Sequence, residues 1–262
     1  MNKIKERHLL VRSRNKSCAP LKEIVVPKTT ILRLGSTTPT NQITKSLNPI
    51  EINKAEACYI SNNKRLMRQA FSENNIPIAN GICAKGIDDI IEFFNKNGTI
   101  ICKHIHSSKG NGIYLLSNID EINEWVNSHN IQNYIFEKYY TYTREYRIHV
   151  TKNGCFYTCR KMLKNDAKVR WHRHNTNSIW VLEENPLFDK PSNWESIVNS
   201  CIDALKAIGL DIAAFDVKVQ SNKYKEPKYI ILESNSAPAL GVIGIEKYKE
   251  AIKTIINEFL IP

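Results

Sequence analysis

Apolar positions recur along the chain in two rhythms. Runs with apolar residues three and four apart predict helices over 61–74, 86–98, 117–130, 193–209 and 246–260. Gly98 and Gly209 close two of them, and Ser117-Asn118 offers cap side chains to a third. Short runs rich in β-branched and aromatic residues predict strands at 99–105, 113–116, 133–140, 213–220 and 228–235. Residues 144–163 read as a β-hairpin turning near Asn153-Gly154. Residues 23–35 give two β-like runs broken at Pro27, and Ile76–Ala79 a short extended piece. Residues 36–53, rich in Ser, Thr, Asn and Pro, read as loop, and residues 1–20, polar without a period, as a loosely ordered arm. There is no internal repeat. Helices and strands mixed with hairpins point to an α+β protein rather than a doubly wound α/β one.

The 262 residues, 42% hydrophobic and 24% charged, suffice for one or two globular domains. No apolar run approaches the roughly 20 residues of a membrane span. The basic N-terminus is followed by no apolar stretch, so no secretory signal, no membrane contact and a cytoplasmic location are expected. The seven cysteines are scattered. Cys155 and Cys159 are four apart, which is not the usual zinc spacing, so reduced thiols packed as small apolar groups are expected. The formal charge of +11 changes the picture more, because it calls for an anionic partner: nucleotide, nucleic acid, acidic peptide or phosphorylated metabolite. Basic residues are densest from Lys3 to Lys16 and over 160–174. The first stretch also reads as a plain solvated surface.

Three stretches carry candidate chemistry. In "YIILESNSAPALG" (229–241), Glu233 and Asn235 are two apart on a strand and share a face. The preceding strand carries Asp216 among apolar neighbours, where an ionised carboxylate needs a partner or a metal. Asp216, Glu233 and Asn235 are then three oxygen donors on adjacent strands: a site for a hard cation such as magnesium, or a polar strand end. In "ICKHIHSSKGNG" (101–112), Lys103 ends an apolar strand, and Ser107, Ser108, Gly110 and Gly112 form a loop that can turn donors towards a phosphate, or a plain hairpin turn. In "FEKYYTYTREYRIHV" (136–150), Glu137 and Lys138 end a strand, while Glu145 and Arg147 share a face of the next. They read as an exposed ion-pair ladder or as a hinge for an adenine edge and a ribose.

In this order the pieces resemble the ATP-grasp superfamily, and within it the ribosomal-protein glutamyl ligases and related carboxylate–amine ligases. The resemblance runs from about Ser61 to the C-terminus, through "SNNKRLMRQAFSENNIPIA", "IICKHIHSSKGNGI", "YIFEKYY", "REYRIHV", "IGLDIAAFDVKV" and "YIILESNSAPALGVIGIEKY". It implies an ATP-grasp fold of two α+β subdomains: residues 56–140 with the phosphate loop, and 141–262 with the metal and substrate site. A short N-terminal region, 1–55, precedes them. It implies that Lys64 and Lys103 contact ATP phosphates beneath a lid at 107–112. Glu137, Lys138 and Tyr139 would line the adenine pocket, and Glu145 would reach the ribose. Asp216, Glu233 and Asn235 would hold magnesium, in two ions, with manganese as a substitute. Arg147, Arg160, Arg173 and Asn175 would attend the transferred phosphate and the substrate carboxylate. Two departures stand out: His104 replaces the proline that often follows the strand lysine, and "NTNSIW" lacks the glycine pair of the family's substrate loop.

The implied reaction is ATP-dependent amide formation between a carboxylate and an amine, small molecules or peptides, through an acyl phosphate. Phosphoryl transfer needs positioning and charge neutralisation rather than a protein nucleophile. An acyl phosphate needs shelter from water, which gives the Gly/Ser loop a purpose. The alternatives are a kinase of the same fold, in which a hydroxyl takes the phosphate, and a basic protein that binds or modifies nucleic acid. The short N-terminal region leaves room for a homodimer or a partner protein to complete the substrate pocket.

Overall fold

The structure, a computed structural model, describes residues 7–107, 110–173 and 176–260. Strands β1 (Arg7–His8), β2 (Leu10–Ser13), β3 (Val25–Val26), β4 (Thr30–Leu34) and β5 (Ile50–Ile52) build an N-terminal module. β1 and β3 pair antiparallel, whereas β2, β4 and β5 form a parallel sheet. Residues 7–20 are therefore not the loose arm their polarity suggests. Cys18 and Leu21, in a 3-10 helix over Lys16–Glu23, are fully buried. The elements here are too short for a period to show in sequence. β5 likewise lies inside the stretch read as loop.

Next come α1 (Ala55–Asn62) and α2 (Lys64–Glu73). The helix expected over 61–74 is α2; α1 before it is not among the expected helices, and the two are separate because Asn63 leaves helical geometry and its side chain accepts hydrogen bonds from the N–H groups of Arg65 and Leu66. Asparagine gains more from capping a helix than from continuing one. β6 (Gly81–Ile82), α3 (Ile87–Asn97), β7 (Ile100–His104), β8 (Ile113–Leu116), α4 (Ile119–Ser128) and β9 (Tyr134–Lys138) form the next unit. Its antiparallel sheet has the order β6-β9-β7-β8. Ile90, Phe93, Ile122 and Trp125 of α3 and α4 pack with Ile100, Cys102 and Phe136 of the sheet.

The C-terminal unit comprises β10 (Arg144–Thr151), β11 (Gly154–Leu163), β12 (Ser178–Leu182), α5 (Trp194–Ile208), β13 (Ile212–Val219), β14 (Tyr229–Asn235) and α6 (Val242–Leu260). Its antiparallel sheet has the order β12-β11-β10-β13-β14. The edge strand β12 falls where no strand is predicted. Tyr146, Ile148, Val150, Phe215 and Val217 face a core shared with Phe71 of α2 and Ile197 and Leu205 of α5. Strand alternation then sends Glu145, Arg147, His149, Asp216 and Lys218 to the opposite face. Part of that face is covered by α6, which shares a core with Leu9, Val11, Leu32, Leu34 and Ile52 of the N-terminal module. The rest is the floor of the candidate site.

Asn53 fastens the N-terminal module to the C-terminal sheet. It is fully buried at φ 61°. Its Nδ2 donates to the Arg33 and Ile212 carbonyls, and its Oδ1 accepts from the N–H groups of Asp211 and Ile212. All seven cysteines are free, five of them buried. Among the described residues no helix is long and apolar enough to cross a membrane.

Candidate functional site

Two β-bulges build the site. The first lies between Asp216 and Val217. Val217 pairs with Ile231, yet Asp216 pairs with Glu233, so Leu232 is the extra residue. A bulge sets two residues against one. Without it Leu232 would face Asp216, and Glu233 would point to the other side of the sheet. The second lies between His149 and Val150 on the β10–β11 hairpin. It moves the register by one, so that Arg147 opposes Cys159 and Tyr146 opposes Arg160.

Together the bulges lay Cys159, Arg147, Asp216 and Glu233 in one row across β11, β10, β13 and β14. Arg147 grips Asp216 with both arms of its guanidinium, Nε to Oδ1 at 2.7 Å and Nη2 to Oδ2 at 2.8 Å. Asn235 lies opposite Ala214, on the same face as Glu233 and one step along the strand. The Asn235 Nδ2 and the hydroxyl of the buried Ser236 have no hydrogen-bond partner among the described residues.

The electrostatics divide the two carboxylates. Burial raises Asp216, but the charge and hydrogen bonds of Arg147 outweigh it and hold the carboxyl below its ordinary value. Glu233 is pushed up, by burial first and then by the Asp216 charge beside it. The site thus favours the ionised form of one carboxylate and disfavours that of its neighbour. Lys64, at the start of α2, and Lys103, at the end of β7, both act on Glu233 across the gap. Burial pushes the Lys64 ammonium down, and Lys103 lowers it further.

The loop after β7 closes over these lysines. The Lys64 ammonium donates to the Ser107 carbonyl, and the Ser107 hydroxyl donates to the His104 carbonyl. Gly112 takes φ 62°, and a Cβ there would stand 2.9 Å from the His104 Cβ. This position therefore requires glycine for both conformation and space. Gly110 is also left-handed, at φ 79°. Ser108 and Asn175 lie outside the described residues.

A cleft of about 400 Å³ runs from the hinge, lined by Tyr139, Thr143, Lys161, Trp171, Arg173 and Lys218 among others. Glu145 is buried behind two of these residues, 3.9 Å from the Lys161 Nζ and 3.5 Å from the Arg173 Nη1. Burial lowers Lys218 to about 8, with Glu145 opposing and Arg173 and Lys103 adding to the drop. The basic loop folds over the cleft: Tyr139 donates its hydroxyl to the Trp171 carbonyl, and Arg173 donates to the Thr143 carbonyl. A desolvated cluster of cations that depress one another is a site waiting for a polyanion.

The expected residues thus fall into groups. Lys64, Lys103, Ser107, Arg147, Asp216, Glu233 and Asn235 form one group around the row; Tyr139, Arg160 and Arg173 line the cleft, with Glu145 paired to Arg173 behind it. Glu137 is not a free wall of the adenine pocket, because its carboxylate is buried between Arg68 and Lys103. Lys138 is held through its backbone N–H to Asn80, with its ammonium 5.8 Å from the Tyr140 ring. The side chain of Arg160 turns away from the row, donating to the Leu187 carbonyl. A hairpin turning at Asn153-Gly154 without a bulge would set Arg160 opposite Glu145; the bulge gives that place to Lys161. Lys161, Lys218 and Trp180 are the functional candidates that the sequence reading missed. Trp180 is opposite Lys161 and stacks on Arg147 at 4.7 Å. The alternation from Arg147 would have found Lys161, given the true register.

No protein-family profile and no curated protein matches the sequence. Solved structures do. D-alanyl-alanine synthetase A from Vibrio cholerae superposes with a TM-score of 0.66 at 14% identity, over 92% of this chain and 79% of its own. D-alanine–D-alanine ligase from Bacillus anthracis gives 0.63 at 12%, over 90% and 77%. The ATP-grasp ligase PsnB, complexed with a phosphomimetic variant of its minimal precursor, Mg and ADP, gives 0.59 at 12%, over 90% and 81%. This chain has the ATP-grasp fold. Its two grasping sheets are β6-β9-β7-β8 and β12-β11-β10-β13-β14, and the cleft is lined by the segment joining them and by the second sheet with its basic loop. The match covers the N-terminal module as well, since nine-tenths of the chain aligns.

Proposed function

We propose that this protein is an ATP-dependent carboxylate–amine ligase, forming an amide through an acyl phosphate. One observation carries the reading: two bulges align Arg147, Asp216 and Glu233 in a row whose charges meet those of Lys64 at the start of α2 and Lys103 of the opposing sheet. That row fits a hard cation beside a triphosphate. Two adjacent carboxylates, one of them pushed up by burial and by its neighbour's charge, and the Asn235 amide oxygen offer oxygen donors on one face. Asp216, Glu233 and the Asn235 Oδ1 would hold magnesium, which when bound would offset charge on the β- and γ-phosphates. The ATP-grasp likeness adds that proteins named as ligases share this fold.

In this reading Lys64 and Lys103 hold the phosphates, Tyr139 borders the adenine, and Glu145 reaches the ribose. Arg147 stays charged through Asp216 and orients the γ-phosphate for attack by a substrate carboxylate. The 107–112 loop keeps water from the mixed anhydride until an amine displaces phosphate. The test is calorimetry with ATP, with and without magnesium, on the wild type and on Glu233→Gln. Magnesium-dependent binding that the substitution weakens at least tenfold is expected. A screen for ADP release then decides the chemistry: the ligase requires both a carboxylate and an amine. ADP release with a hydroxyl acceptor and no amine would make the protein a kinase, and no nucleotide binding would overturn the proposal.

A further inference from the structure

The stretch "RLGSTTPT" and the basic residues of β2 have no role in the nucleotide site. In the structure they meet at the carboxyl ends of the parallel strands β2 and β4, around a crevice of about 360 Å³. Its walls are Arg12, Ser13 and Arg14 on one side and Ser36, Thr37 and Thr38 on the other. The carboxyl ends of parallel strands are where open α/β sheets place ligands. Arg12 and Arg14 are exposed, and neither has a carboxylate or a hydrogen-bond acceptor within reach among the described residues. The neighbouring Arg33 differs: it is fully buried and neutralised by Glu51 at 2.5 Å.

The hydroxyl wall is held in place. Arg33 donates through Nε to the Thr38 carbonyl and through Nη2 to the Thr40 hydroxyl, and the Ser36 hydroxyl both donates to Thr38 Oγ1 and accepts from the Thr38 N–H. The ion pair of the buried Arg33 thus fixes a loop that leaves Thr37 exposed.

The crevice adjoins the end of β14. Gly35 takes φ 75°, and a Cβ there would stand 2.8 Å from the Ala237 Cβ, two residues after Asn235. Asn62, two residues before Lys64, donates to the Gly35 carbonyl. The turn after Asn235 is tied to the same module by the Leu240 N–H on the Ser17 hydroxyl. A ligand in the crevice is therefore one turn of chain from both Lys64 and Asn235.

We infer that this crevice is an anion-binding subsite for the acceptor, which carries a second anionic group beside the carboxylate that is activated. This rests on the ligase reading and narrows its substrate to a small dianion or polyanion. Arg12 and Arg14 supply planar guanidinium donors and the Ser/Thr wall supplies hydroxyls, a donor set for the oxygens of a phosphate monoester or a second carboxylate.

The test uses the full chain saturated with magnesium and a non-hydrolysable ATP analogue, so that the nucleotide site is closed to the probe. Inorganic phosphate and citrate are titrated by calorimetry at constant ionic strength, on the wild type, Arg12→Ala/Arg14→Ala and Thr37→Val. The expected result is saturable binding of a probe, at least about tenfold weaker in the double-arginine variant, because charge-assisted bonds are lost. Nucleotide affinity should stay within about twofold of wild type. Phosphate alone binding indicates a phosphorylated acceptor, and citrate alone a polycarboxylate. Unchanged probe binding in the arginine variant, or none in the wild type, overturns the inference. Failure of the ligase reading shows separately, as loss of magnesium-dependent nucleotide binding.

Discussion

Replacing Arg147 with methionine tests the central row directly. The guanidinium makes two hydrogen bonds to Asp216, at 2.7 and 2.8 Å, and only 15% of the Arg147 side chain and 8% of the Asp216 side chain are exposed. Methionine keeps much of the aliphatic length against Trp180 and removes the charge. Asp216 is then a buried carboxylate with no cation gripping it, beside a second carboxylate that it already pushes up. Breaking one side of a buried pair costs about 3–5 kcal/mol, because a charge is left uncompensated.

The pH dependence follows from the shift of Asp216. Its folded value is depressed, so its contribution is present above the ordinary value of 3.8 and is lost as pH falls through the folded value. The destabilisation in Arg147→Met should therefore be full at neutral pH and shrink towards acid, as the carboxylates take protons. Magnesium should relieve part of it at neutral pH, since a divalent cation supplies the missing positive charge to the same oxygens. Urea unfolding followed by tryptophan fluorescence, with and without magnesium, measures all three effects. A loss below about 1 kcal/mol at neutral pH would refute the row as a coupled electrostatic unit. So would an equal loss with magnesium present.

Magnesium affinity of the nucleotide-free protein should rise with pH, because a proton competes with the cation for Glu233, whose carboxyl is raised; Glu233→Gln should flatten that dependence in a competition titration with a metal-sensitive dye. Gly112→Ala forces a Cβ to 2.9 Å from His104 at positive φ, costing about 1–2 kcal/mol, and should weaken nucleotide binding more than Gly98→Ala, where the added carbon meets nothing. His149, buried against the Tyr248 hydroxyl, is lowered to about 3 by burial and by Arg147. The unfolded chain takes up the proton first, so stability should fall as pH drops from about 6.5 towards 3, and His149→Gln should remove that part of the acid limb in unfolding curves.

The grasp could be read from sequence where elements are long. The helices at 86–98, 117–130 and 193–209 and the strands carrying Lys103, Asp216 and Glu233 fall where the periodicity puts them. What escaped was register. A bulge inserts one residue and leaves the local pattern of apolar and polar positions nearly unchanged, yet it exchanges the faces of a strand. For Asp216 and Glu233 the order of motifs compensated. For the β10–β11 hairpin nothing did: Arg160, named from the resemblance, lines the cleft opposite Tyr146, while Lys161, the residue that meets Glu145, was missed. In the N-terminal module the two runs around Pro27 are β3 and β4 as read, but β1, β2 and β5 escaped: strands of two to four residues carry too few positions for a period, and the burial of β2 and β5 depends on α6 at the other end of the chain. Glu137 looked like a pocket wall because its partner Arg68 sits on a helix far earlier in the chain.

The unliganded charges also explain why so basic a site can fold. Three carboxylates are matched to cations across strands or units: Asp216 to Arg147, Glu137 to Lys103 and Arg68, Glu145 to Lys161 and Arg173. Lys64 and Lys218 form no ion pair among the described residues; each is partly desolvated, donates to a backbone carbonyl and has its ammonium pushed down. A polyphosphate entering with a divalent cation would meet donors already aimed and ion pairs already formed, and would relieve the repulsion among the lysines rather than create new buried charge. On this reading the stability that the surplus cations cost the empty protein returns as nucleotide affinity. Neutralising Lys218 should therefore stabilise the free fold while weakening its complex.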